Sequence, residues 1–89
     1  NTLALKGYKV LYLRIAEPDG NILCLSQDDT FTFKGEKIVY SSKEEIYYNN
    51  FAEDICIYWE KTKAFKNGVY YIDIFCDDAL LGTSTLVFE

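Results

Sequence analysis

Apolar and polar positions alternate along this chain in short runs, and turn residues interrupt the runs at regular intervals. YKVLYLRIA (8–16) is dense in aromatic and β-branched residues and predicts a strand with Arg14 facing water. Pro18-Asp19-Gly20-Asn21 follows. Proline sets φ for a turn, Asp bonds to nearby backbone and Gly accepts positive φ, so ILCL (22–25) is expected to return as the partner strand. SQDD (26–29) marks a second turn. FTF (31–33) then alternates, and a tight turn at Lys34-Gly35-Glu36 leads into KIVYS (37–41).

EIYYN (45–49) reads as a strand. SSKEEI (41–46) also fits the start of a short helix, with Ser41 or Ser42 as its cap, and strand is the preferred reading. In DICIYWE (54–60), Ile55, Ile57 and Trp59 share the expected core face, while Cys56, Tyr58 and Glu60 share the other. Residues 61–68 read as a loop ending in Asn67-Gly68. VYYIDIFC (69–76), an acidic turn at Asp77-Asp78, and LLGTSTLVF (80–88) complete a C-terminal hairpin. In its first strand Tyr70, Ile72, Ile74 and Cys76 point to the core and Asp73 points outward.

The sum is an all-β domain over 1–89, a two-sheet antiparallel β-sandwich of seven or eight strands; a small β-barrel is the alternative. Composition agrees: aromatic residues are 17% of the chain, with eight Tyr, six Phe and one Trp. The chain starts at Asn1 and contains no Met, so it is expected to be part of a longer protein. Its apolar runs are far shorter than the roughly 20 residues that cross a bilayer as a helix.

Charge narrows the partners. A net charge of −5 argues against nucleic acid, whose phosphates are met by clustered cations. The chain has no His, which removes the commonest general base, and its three cysteines form no CxxC. No structural zinc site can be assembled from that set. Cys76 lies beside Asp77 and Asp78, whose charges oppose a thiolate. No enzyme, cofactor or resident metal is therefore expected, and Asp28-Asp29 and Asp77-Asp78 are read as turn residues before calcium ligands.

Three adjacent aromatic pairs stand out: Tyr47-Tyr48, Tyr58-Trp59 and Tyr70-Tyr71. In a strand one member of each faces outward, and Tyr48, Tyr58 and Tyr71 are the candidates for an aromatic binding face. Core packing and ordinary cross-strand pairing are the competing explanation for all three.

The C-terminal stretch NGVYYIDIFCDDALLGTSTLVF resembles the last two strands of a bacterial immunoglobulin-like or fibronectin-III-like module. The resemblance is carried by Gly68, Tyr70, Ile72, Ile74, the Asp77-Asp78 turn, Gly82 and Thr83. It implies an Ig-like sandwich serving as an adhesive, protein-binding or spacer domain of a larger periplasmic or surface protein. Neighbouring domains or a protein partner would contact it, and a carbohydrate-binding module is a more distant reading. Trp59 lies far beyond Cys24, unlike the spacing in antibody domains. Cys24 and Cys76 would pair between sheets only where their strands face each other, and are otherwise small buried hydrophobes.

Overall fold

A computed structural model describes residues 7–48 and 65–89. Six strands run through them: β1 (Gly7–Ala16), β2 (Thr30–Phe33), β3 (Glu36–Val39), β4 (Ser42–Tyr48), β5 (Gly68–Cys76) and β6 (Ala79–Phe88). They form two antiparallel sheets, one ordered β4-β1-β5-β6 and the other the β2–β3 hairpin. The candidate strand 54–60 lies outside the described residues, and seven or eight strands are not reached among the described ones.

Both tight hairpins come from turn chemistry. Lys34 and Gly35 carry φ of 49° and 84°, and Asp77 and Asp78 carry 49° and 63°. Two consecutive positive φ values define the I′ turn, whose twist matches that of the strands it joins. Asp tolerates the left-handed region better than most residues, which lets an Asp-Asp pair do what Asn-Gly usually does.

The expected strand at 22–25 does not form. Ala16 and Ile22 make a single bridge, and Leu23 N–H donates to the Ile15 carbonyl at 2.9 Å. Beyond that point the same edge of β1 is taken. β4 occupies it as far as the Leu13–Ser42 pair, and Ser41 N–H donates to the Leu13 carbonyl at 2.7 Å. The buried Ser41 hydroxyl accepts from Ile15 N–H at 2.8 Å and donates to the Leu23 carbonyl at 2.5 Å. One side chain thus replaces the ladder that ILCL would have made. The alternative helix at 41–46 gives way to strand, as β4 is paired with β1 along its whole length.

Strand alternation gives the large sheet two faces. Leu11 and Leu13 of β1 and Tyr70 and Cys76 of β5 are buried on one of them. Tyr8, Tyr12 and Arg14 lie on the other, with their register partners Tyr47, Phe75 and Asp73. The β2–β3 hairpin packs on this aromatic face. Phe31 stacks on Tyr12 with ring centroids 4.4 Å apart and planes 4° from parallel, and Phe31 and Phe33 both meet Phe75. Arg14 Nε donates to the Val39 carbonyl at 2.8 Å and secures the hairpin's other strand. Of the residues expected inward on β5, Tyr70 and Cys76 are about 1% exposed, whereas Ile72 and Ile74 are half-buried, as is Asp73, and Phe75 is buried on the aromatic face beneath the β2–β3 hairpin.

Candidate functional site

The hairpin covers only part of the aromatic face, and the uncovered part is a cleft. Its volume is about 400 Å³, and it opens where β1 extends past the end of β5. Tyr8, Val10 and Tyr12 line it from β1, Phe31 and Thr32 from β2, and Phe75, Asp77 and Asp78 from the β5–β6 end. The floor is thus aromatic and one rim acidic.

Two polar contacts hold that rim in place. Lys9 Nζ donates to Asp77 Oδ2 at 2.6 Å, and Lys34 N–H donates to Asp78 Oδ1 at 2.5 Å. The second contact ties the tip of the β2–β3 hairpin to the tip of the β5–β6 hairpin. Asp77 also holds the Lys9 ammonium pKa above its ordinary value. That lysine is therefore a paired cation, not a base.

At the open end Tyr8 pairs with Tyr47 across β1 and β4. The rings meet edge to face at 5.1 Å, and the residues are 74% and 51% exposed. Such a pair is worth about 0.5–1.5 kcal/mol beyond the area it buries. Here much of that area is left in water. Glu45 pairs with Val10 beside it and is exposed, which adds a carboxylate on the same face.

Cys76 is the nucleophile nearest to the cleft, and burial first, then the Asp77 charge, push its thiol pKa up. A protonated, enclosed thiol is a poor nucleophile. Cys24 is half-buried and accepts a hydrogen bond from Gln27 Nε2 at 3.3 Å; both it and Cys76 are free thiols, not bonded to each other. Among the described residues, no group of three or more Cys, Asp or Glu stands where it could hold a metal ion. Nor, among them, is any helix long and apolar enough to cross a membrane.

Of the tyrosines singled out from sequence, Tyr48 and Tyr71 do not come together. Tyr71 is 52% exposed and pairs with Ala16 at one end of β1, whereas Tyr48 pairs with Gly7 at the other. Nine strand positions separate those partners, roughly 30 Å at the rise of a β-strand. Tyr58 lies outside the described residues. The aromatic surface that does form rests on Tyr8 and Tyr47, which the sequence reading passed over. The available signal was the alternation of YKVLYLRIA, which sets Tyr8 and Tyr12 opposite Leu11 and Leu13.

One family model, described as a domain of unknown function (DUF8428), matches residues 1–89. No curated protein and no solved structure matches the chain.

Proposed function

The chain belongs to the DUF8428 family, and we propose that it is a non-catalytic β-sandwich module that binds a protein partner through the Tyr8–Tyr47 face. The observation that carries this reading is the exposed edge-to-face pair at the mouth of an aromatic cleft. Cross-strand pairing accounts for the contact between the two rings, and their exposure beside an open cleft favours a binding face over a pure spacer. The Asp78 and Glu45 carboxylates on the same face suit a partner segment that offers a Lys or Arg among aliphatic residues. Its cation would lie over a tyrosine ring and its stem in the cleft.

The immunoglobulin-like character of the sandwich is part of the same proposal. It is supported by Tyr70, near the start of β5, whose hydroxyl accepts from Lys66 N–H at 2.9 Å, four residues upstream. A tyrosine bonding back to backbone at that spacing is the tyrosine corner of Ig-like sandwiches. Such modules are built into larger periplasmic or surface proteins, and that setting is proposed here by analogy of fold.

The test is selection of a displayed random-peptide library against the folded domain, with bound peptides mapped by amide and ring chemical shifts. The proposal expects basic-aliphatic peptides that shift Tyr8, Tyr12, Tyr47 and Phe75. Peptides that map elsewhere, or a domain that selects none and instead retains glycans on an array, would overturn it.

A further inference from the structure

The opposite side of the sheet carries a different feature. β6 is the last strand of the sheet order, paired only with β5 among the described residues. Leu80 through Val87 are all exposed, with Leu86 at 51% and Val87 at 64%, so among the described residues neither face of that stretch is covered. The run Ala79–Phe88 holds no charged residue and no Pro. Edge strands are ordinarily protected by one or the other, or by a bulge. β4, at the other edge, carries Lys43, Glu44 and Glu45. β6 has only the bulge at Leu81, where Ile74 pairs with Gly82 and Phe75 with Leu80, and no such device from Gly82 to Phe88.

We propose that β6 pairs antiparallel with β6 of a second copy, joining two four-stranded sheets into one continuous sheet about a two-fold axis. The occupant is argued from the strand itself. A two-fold normal to the sheet must set one residue opposite its own copy, because opposed residues share a face. ALLGTSTLVF is mirrored about Ser84, with Thr on either side and apolar residues at both ends. Centred there, Thr83 opposes Thr85 and Gly82 opposes Leu86, and across the bulge Leu81 and Leu80 come to Val87 and Phe88 of the other copy. Two chains of charge −5 repel over most of their surface, and within β6 they meet without opposing a carboxylate, the nearest being Glu89, which stands opposite Ala79 and beside Asp78 at each end of the seam. The added contact is one strand wide, so the dimer is a reversible one.

Sedimentation across micromolar to millimolar protein tests this, with Ser84→Lys and Ser84→Glu as variants at an exposed position. The wild-type chain should show a monomer–dimer equilibrium. Each variant alone should dimerise about fivefold or more weakly, since like charges would stand directly opposed. An equimolar mixture of the two should recover the dimer. Independently of any variant, exchange at β6 amides of the wild-type chain should slow as concentration rises. A wild-type monomer throughout, a dimer indifferent to Ser84→Lys, open-ended larger species, or concentration-independent β6 exchange would each overturn the proposal.

Discussion

The backbone N–H of Lys34 donates to the carboxylate of Asp78 at 2.5 Å, across 44 residues of chain, and so fastens one I′ turn to another. Asp78 has two tasks at this point: it accepts that bond and it adopts φ of 63°. They can be separated. Asp78→Gly keeps the turn conformation and loses the acceptor, whereas Asp78→Ala loses both. Alanine should be less stable than glycine by about 1 kcal/mol, the cost of a left-handed residue with a Cβ. Urea denaturation of the two variants reads the difference directly. Equal stabilities would mean that the turn is not under that constraint.

Ser41 is the second such joint. Its hydroxyl serves a donor on β1 and an acceptor in the 22–25 segment while buried. Ser41→Ala leaves Ile15 N–H and the Leu23 carbonyl without that partner, and should cost about 2 kcal/mol in urea. Amide exchange at Ile15 should accelerate in the variant. An unchanged midpoint would contradict the role given to this side chain.

The turn at 17–21 sets an acid-side dependence. Asn21 N–H donates to Asp19 at 2.9 Å and Lys66 Nζ lies 3.3 Å from its other oxygen, and both hold the carboxyl below its ordinary 3.8. A lowered folded-state pKa stabilises above 3.8 and is lost as pH falls through the lowered value. Lys66 is raised above 10.5 by Asp19 and Glu17, so its contribution is whole below 10.5 and is lost as pH climbs through the raised value. Asp19→Asn keeps the bond from Asn21 and removes the titration. Its stability should therefore fall less steeply than wild type below pH 4, and identical acid limbs would contradict the assignment.

Cys76 should be silent toward thiol reagents in the native protein near neutral pH. Burial and the neighbouring Asp77 keep its thiol protonated, and the residue is about 1% exposed. In a chain with Cys24→Ser and Cys56→Ser, labelling at Cys76 should wait on unfolding and track added urea. In the chain that retains only Cys24, labelling should proceed without it. Rapid native labelling of Cys76 would contradict its placement on the buried side of β5.

How far the sequence reached depends on what decides each feature. The 30–39 and 68–88 hairpins were legible because their turns and period-two strands are local properties, carried by Lys34-Gly35, Asp77-Asp78 and the flanking alternation. ILCL has the same local character and failed. Which segment pairs with an edge is a competition, and β4 with Ser41 won it. The tyrosine that joins the aromatic face was not legible, for a related reason. Tyr47 and Tyr48 are locally equivalent, and only the register that opposes Tyr47 to Tyr8 distinguishes them. The cleft was beyond reach, because it exists only where the β2–β3 hairpin stops short on the aromatic face.

The measurement closest to the central claim compares a selected peptide's affinity for three chains: wild type, Tyr8→Ala/Tyr47→Ala and Tyr71→Ala. All three tyrosines are exposed, so none of these changes should disturb the fold, which circular dichroism verifies. If the Tyr8–Tyr47 face is the binding surface, the double variant should bind about tenfold or more weakly and Tyr71→Ala should bind as wild type does. Equal affinity for wild type and the double variant, or a loss confined to Tyr71→Ala, would contradict it.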